Sequence, residues 1–480
     1  MVLTTRLDSY VPDHVREMAA RLRQAGYACY VVGGALRDLL CGRTPQDWDL
    51  ATSARPEQVV ALFAPVAPPA PSAPPAPSAP PVLEGYRVVD VGIRHGTVGI
   101  LAPRQTRMVE ITTFRVEGPY SDSRRPDYVR FVDHLEEDLC RRDFTVNAMA
   151  LDPFSGSLYD PCGGREDIEK GIVRAVGDPG HRFEEDALRL LRAVRLVSQY
   201  GWCLDADTAA AAGTRSHLIA KVAPERIRTE LEGILLGSHA SRALALMSYL
   251  GLARPVLPDM GAGLARPVLP DLPEPYSVPA LSYLPARLPL RLAALLLAAK
   301  DPGEDPETVL RRLRFPEQVV KHVNHLTQHA RAFLPPTPAG HSARCSAPDR
   351  NSSEAWWVAA TEASSRRWLA AVGRENAGEV LHLVRAHLRA AGRDLTAWDG
   401  WTHLVARQLA ARVPTRPEEL AVTGTDVLEI TGGQPGPQVG EILMRLLDAV
   451  LEDPGLNERT ILRQLIHRFL GPGGGSVGST

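Results

Sequence analysis

The sequence predicts an α+β protein, a mixed α/β head followed by a neck, body and tail that are helical throughout. Three observations carry this. Apolar runs of strand length, YACYVV (27–32), TVGIL (97–101) and RMVEITTF (107–114), are confined to the first part of the chain. A glycine pair and short helical stretches punctuate them. Beyond about residue 180 apolar residues recur at helical spacing in segment after segment, with no convincing strand.

The elements follow in order. In PDHVREMAARLRQA (12–25), Val15, Met18, Ala19 and Leu22 fall on one helical face, with proline at the start and Gly26 just past the end. The strand 27–32 leads into Gly33-Gly34 and a short helix, ALRDLL. QDWDLA (46–51) reads as a second strand and SARPEQVVALF (53–63) as a helix capped by Ser53. TVGIL and RMVEITTF are two more strands around a turn-like APRQ. FEEDALRLLRAVRLVSQYG (183–201), APERIRTELEGILLG (223–237), ASRALALMSYLG (240–251), LRLAALLLAA (290–299) and VGEILMRLLDAVLED (439–453) are long helical segments.

This divides the chain into a head at 1–178, a neck at 179–245, a body at 246–400, a tail at 401–470 and a flexible C-terminus at 471–480. A Pro/Ala-rich insertion at 64–82 repeats APSAPP in tandem, and GLARPVLPD occurs at 251–259 and again at 263–271. Both read as surface-loop duplications, since a Pro/Ala tract cannot build a core and two copies do not make a solenoid. Residues 335–353 read as a further loop.

Composition removes several classes. The 480 residues are 44% hydrophobic and 23% charged, with a formal charge of −2, so a strongly basic nucleic-acid coat is excluded and only local basic patches remain. All but four of the 54 basic residues are arginine, which reflects a GC-rich genome more than a function. No apolar run approaches the ~18 residues of a membrane span, and the first residues carry no signal pattern. The six cysteines are scattered without a CxxC pair, so neither a disulfide framework nor a zinc cage is expected, and a reducing, cytoplasmic setting fits.

Four constellations carry chemistry. Gly33-Gly34 between a strand and a helix lets backbone N–H groups approach a phosphate, with Arg37 one turn in. In Asp47-Trp48-Asp49 the two carboxylates alternate onto one face of a strand, a costly arrangement without a cation, and oxygen-only ligands suit Mg²⁺. Alone, each is more often a bend or a solvated turn; together on consecutive elements they are far more specific. Glu110, which shares a strand face with Met108 and Thr112, is either a solvated edge position or a third carboxylate completing a two-metal site. In Asp138-Leu139-Cys140-Arg141-Arg142-Asp143, the arginines could bind triphosphate or belong to a charged helix start capped by Asp143 or Thr145.

The fourth runs from Glu185 to Arg195. Asp186 and Arg189, one turn apart, could read a base together, the carboxylate accepting from an exocyclic amine and the guanidinium donating to ring acceptors. Cytosine and adenine suit that pair. Arg192 and Arg195 drift round the helix, and Arg195 lies too far to share the base, leaving a phosphate or packing role. Taken alone, the segment is better explained as a surface helix with i,i+3 ion pairs.

In this order, VVGGALRDLLCGRTPQDWDLATSARPEQV, RHGTVGI, VEITTFRVEGPYSDSRRPDYVRFV, LEEDLCRRDFTVNAMALD, YDPCGGREDIEKGIVRAVGDPGHRFEEDALRLLRAVRL and VAPERIRTEL resemble the class II tRNA nucleotidyltransferases. This branch of the polymerase β superfamily contains the bacterial CCA-adding enzymes and poly(A) polymerases, and the resemblance covers nearly all of 27–240. ELAVTGTDVLEITGGQPGPQVGEIL (419–443) is similar to the tail of Bacillus-type members.

The resemblance implies a polymerase-β-like nucleotidyltransferase head, Mg²⁺ on Asp47 and Asp49, and Glu110 as third carboxylate. It also implies nucleotide binding by Gly33, Gly34, Arg37 and Arg142, and base selection by the neck motif of Asp186, Arg189, Arg192 and Arg195. Arg226 and Glu230 sit in the following neck segment. The implied partners are a tRNA 3′ end with CTP and ATP as substrates, with no membrane and no obligate protein partner. The complete loop FRVEGPYSDSRRPDYVRFV favours addition of all three CCA nucleotides. An A-adding enzyme, a poly(A) polymerase and a catalytically silent RNA-binding protein are the alternatives.

Overall fold

The computed structural model describes residues 7–64, 85–118, 128–257, 278–298, 305–334 and 361–470. The Pro/Ala insertion, the second GLARPVLPD copy, the loop at 335–353 and the C-terminus at 471–480 lie outside them. The chain forms two compact units, 1–277 and 278–480.

The first unit is built on a seven-stranded sheet whose strands lie in the spatial order 87–92, 97–101, 109–113, 49–52, 29–32, 150–151 and 158–159. Its strands are β1 (Cys29–Val32), β2 (Asp49–Thr52), β3 (Arg87–Gly92), β4 (Thr97–Leu101), β5 (Val109–Thr113), β8 (Ala150–Leu151) and β9 (Leu158–Tyr159). Helix α1 (Asp13–Gln24) buries Val15, Met18, Ala19 and Leu22 completely, as their spacing predicts, against a core that includes Val31, Leu36, Leu50, Val98 and Ile111. Along β5, Val109, Ile111 and Thr113 are buried, so the period-2 pleat turns Glu110 and Thr112 to the opposite face.

Two local expectations change. Helix α3 (Pro56–Phe63) is capped from Arg55, whose N–H donates to Gln58, while the Ser53 hydroxyl accepts from the Ala28 N–H instead. Strand β2 begins only at Asp49, and Asp47 occupies a bend before it, so strand alternation does not relate the two carboxylates.

A β-ribbon of β6 (Arg115–Glu117) and β7 (Val129–Phe131) leads to α4 (Leu135–Cys140), and α5 (Gly164–Lys170) follows β9. The run starting at Phe183 is not one helix. It divides into α6 (Pro179–Glu185) and α7 (Arg189–Tyr200), with Asp186 in extended conformation between them. The Asp186 carboxylate accepts from the Leu188 N–H at 3.1 Å, and such local side-chain bonding competes with helical pairing. One short strand does occur after residue 180: β11 (Cys203–Leu204), parallel to β10 (Ile172–Val173). Helices α8 (Ala206–Arg215), α9 (Pro224–Leu236), α10 (Ala240–Tyr249) and α11 (Ala253–Val256) follow in this unit.

In the second unit every regular element among the described residues is helical, including Leu288–Leu297, Glu317–Arg331, Arg374–Ala390 and Pro437–Glu452. It encloses one cluster of Phe333, Trp368, Trp398 and Trp401 and another of Val422, Val427, Leu446, Val450, Leu462 and Ile466. Among the described residues no helix is long and apolar enough to cross a membrane.

Candidate active site

The sheet brings the carboxylates together by register. β2 and β5 run parallel with Asp49 opposite Glu110, and a hollow beside them is lined by Asp47, Asp49 and Glu110. Asp47 is 78% exposed and pairs with Arg107 at 3.5 Å. Neither Asp49 nor Glu110 has a salt-bridge partner among the described residues. Burial, then the nearby Glu110 and Asp47 charges, push the Asp49 carboxyl up to about 6 despite the opposing pull of Arg142. Burial and Asp47 raise Glu110 as well.

A divalent cation would relieve that crowding, and the donors are all oxygen, as a hard cation requires. The donor set therefore fits Mg²⁺, although no three such groups among the described residues converge as they stand into an ion-holding cluster.

Gly33 carries the chain from β1 into α2 (Gly34–Leu40) at φ +74°, a left-handed conformation that favours glycine. A Cβ there would stand 3.3 Å from Asp49 Oδ2 and 3.5 Å from Arg142 Nη1, so this turn lies between a carboxylate and a guanidinium. Arg37 is fixed from several sides. Its Nη1 donates to Asn147 Oδ1 at 2.7 Å, its Nε donates to the Tyr200 hydroxyl at 2.9 Å, and Asp38 accepts from it too. Tyr200 itself stacks on Trp202 with ring centroids 4.4 Å apart.

Arg141 and Arg142 follow the end of α4 and do not start a helix. The fully buried Asp138 accepts from both, at 2.8 and 3.1 Å. Against the penalty of burial, those two charges hold its carboxyl below the usual range. Nor does Asp143 cap a helix start: it accepts from Arg192 at 2.6 Å and from Asn147 Nδ2 at 3.0 Å. Burial opposes its ionisation, but Arg192 and Asn147 outweigh that and keep it well below the usual carboxylate range.

The neck pairings depart from those the spacing predicts. Because the helix breaks at Asp186, its carboxylate meets Arg226 of α9 at 2.7 Å rather than Arg189. Arg189, largely buried, pairs with Glu185 and lies 4.0 Å from Glu117. Arg195 pairs with Glu230 at 3.2 Å.

A single cleft of about 660 Å³ nevertheless gathers Gly33, Gly34, Arg37, Asp49, Glu110, Arg142, Asp186, Arg189, Arg192 and Arg195, while Asp47 lies in the adjoining hollow that Asp49 and Glu110 share. Sequence reasoning missed Asn147, Glu117 and Tyr200 as partners of these groups. Asn147 lies five residues after Arg142 in the same quoted motif, which was its one available signal.

A "Poly A polymerase head domain" model matches residues 29–69 and 81–174. "Probable RNA and SrmB- binding site of polymerase A" matches 201–264, and a tRNA nucleotidyltransferase domain 2 model matches 379–466. The CCA-adding enzyme of Geobacillus stearothermophilus is 37% identical over 454 residues, 92% of each chain. That of Geobacillus kaustophilus is 36% identical over 440 residues, again 92% of each. Among solved structures, the Bacillus stearothermophilus CCA-adding enzyme in complex with CTP is similar with a TM-score of 0.71 and 32% identity, covering 94% of this chain and 95% of that one.

Proposed function

The chain belongs to the class II tRNA nucleotidyltransferases, within the CCA-adding enzymes, and from that premise we propose how its residues build the tRNA 3′-terminal CCA from CTP and ATP. The observation that carries the reading is one cleft with crowded carboxylates and arginine-held carboxylates on its walls.

Asp47 and Asp49 would hold Mg²⁺, which when bound activates the 3′-hydroxyl and neutralises triphosphate and pyrophosphate charge. Arg37, Arg142 and Arg192 bind the triphosphate as fixed donors, and Gly33 lets it pass close to the backbone. The terminal tRNA 3′-hydroxyl oxygen attacks the α-phosphorus, the bond from that phosphorus to the oxygen bridging to the β-phosphate breaks, pyrophosphate leaves, and the hydroxyl proton passes to water. Glu110, the third carboxylate, orients the attacking end.

Asp186 accepts from the N4 amine of cytosine or the N6 amine of adenine, and Arg189 donates to ring acceptors. Arg226 and the Leu188 N–H orient Asp186 with three hydrogen bonds and leave one lone pair, on Oδ2, for the base. Glu185 and Glu117 steady Arg189. Arg195, tied to Glu230, packs the neck. In this reading the head is 1–178 and the selecting neck 179–245, and the enzyme works in the cytoplasm on tRNA without an obligate protein partner.

Incorporation of labelled CTP or ATP, each alone, into tRNA transcripts ending before CCA, after C and after CC tests this. CTP use on the first two and ATP use on the third is the expected result. ATP use confined to the third marks an A-adding enzyme, and long adenosine tails on arbitrary RNA mark a poly(A) polymerase. No incorporation with tRNA still bound marks a silent binder.

A further inference from the structure

Two cysteines 22 positions apart in sequence meet beside the arginines that line the cleft. Cys140 ends α4, directly before Arg141 and Arg142. Cys162 lies in the turn that starts α5, where the Asp160 carboxylate accepts from the Gly164 and Arg165 N–H groups at 2.7 and 2.9 Å. That turn is pressed onto the arginine-bearing segment, since a Cβ at Gly164 would fall 2.1 Å from the Thr145 carbonyl oxygen. The two sulfurs are 3.9 Å apart, both free thiols, Cys140 exposed and Cys162 half-buried.

We propose that Cys140 and Cys162 form an oxidative modification site, which takes oxidants of the disulfide class and closes to an intramolecular disulfide that weakens nucleotide binding. The disulfide stands on geometry alone; its effect on activity rests on the nucleotidyltransferase reading above. The exposed Cys140 thiolate attacks one sulfur of glutathione disulfide, whose S–S bond breaks, and one glutathione leaves as thiol. Cys162, whose thiol burial and the Cys140 sulfur push up to about 12, gives its proton to water and displaces the second glutathione. Two protein thiols are oxidised and one oxidant disulfide is reduced to two thiols.

Closure brings the sulfurs from 3.9 Å to a bond of ~2.05 Å. The strain falls on the end of α4, whose Cys140 and Arg141 carbonyls accept from Arg182 at 3.1 Å and whose next residues are the cleft arginines. A shift approaching an ångström at a positioning group costs up to about a hundredfold in rate. In a reducing compartment such a bond is transient, as expected of a sensor and not of a framework.

The test oxidises the full chain with glutathione disulfide, maps peptides after alkylation, and follows CTP incorporation before and after dithiothreitol. We expect a Cys140–Cys162 linkage, a KM for CTP raised about tenfold or more, and recovery on reduction. Cys140→Ser and Cys162→Ser should keep the reduced activity and lose the response, whereas Cys203→Ser should respond like the parent. Glutathione adducts without the linkage, or a linkage with unchanged KM, would overturn the proposal. A reduced enzyme inactive with every nucleotide would instead overturn the enzymatic reading, and the peptide map would still decide the disulfide.

Discussion

The two walls of the cleft handle charge in opposite ways. On the β2/β5 wall, Asp49 and Glu110 lie side by side without a salt-bridge partner among the described residues, and both carboxyls are pushed upward. On the wall made by residues 141–143 and the neck, Asp143 and Asp186 are each tied to an arginine, and Asp138, fully buried behind it, holds Arg141 and Arg142. In the proposed reading, the crowded carboxylates are where an added cation and the chemistry belong. Satisfied charge marks rigid shape, where donors and acceptors are fixed before a base arrives.

The largest effect that would break this contrast comes from Asp49→Asn. It should lower incorporation of every nucleotide by about a thousandfold, the scale of losing stabilisation of developing charge, while tRNA binding persists in a filter assay. The same variant sharpens the contrast in melting experiments. Because the folded state holds the Asp49 proton up to about 6 against an ordinary 3.8, the fold loses stability as pH rises through that window. Asp49→Asn should therefore melt higher than the parent at pH 7 without Mg²⁺, and Mg²⁺ should raise the melting temperature of the parent alone.

Next in size is Arg37→Lys. An ammonium cannot reproduce the fork that meets Asn147, Tyr200 and Asp38, so the KM for both CTP and ATP should rise by about tenfold. An unchanged KM would remove Arg37 from the triphosphate site.

The remaining effect falls on stability. Arg192→Ala removes the counter-ion of the buried Asp143 carboxylate and leaves it only neutral donors, costing about 1–3 kcal/mol at pH 7. Because Asp143 is depressed in the fold, its stabilisation is present above the ordinary carboxylate range and is lost as pH falls below it. Parent and variant should converge in acid denaturation curves, and a gap independent of pH would contradict the pairing.

What was legible in the sequence was local. Strand periodicity put Glu110 with Thr112 on the face away from Val109 and Ile111, which in the fold lines the cleft, and the glycine pair marked the β1-to-α2 turn, because each depends on neighbours within a few residues. The Asp186 partner was not legible. Helical spacing points to Arg189, but a two-residue side-chain-to-backbone bond breaks the helix and hands the carboxylate to Arg226, forty positions away. Arg37 likewise finds Asn147 and Tyr200 only once the sheet and neck have assembled. Neither Cys140 nor Cys162 signals the other, because tertiary packing alone brings them together.

The division of labour is tested most directly by single-turnover incorporation of all four nucleoside triphosphates by Asp186→Ala. The expected result is retained chemistry with selection of CTP and ATP over UTP and GTP eroded by about 1–3 kcal/mol, the worth of a paired base contact. An unchanged preference, or loss of all incorporation together, would contradict the separation of a selecting wall from a reacting one.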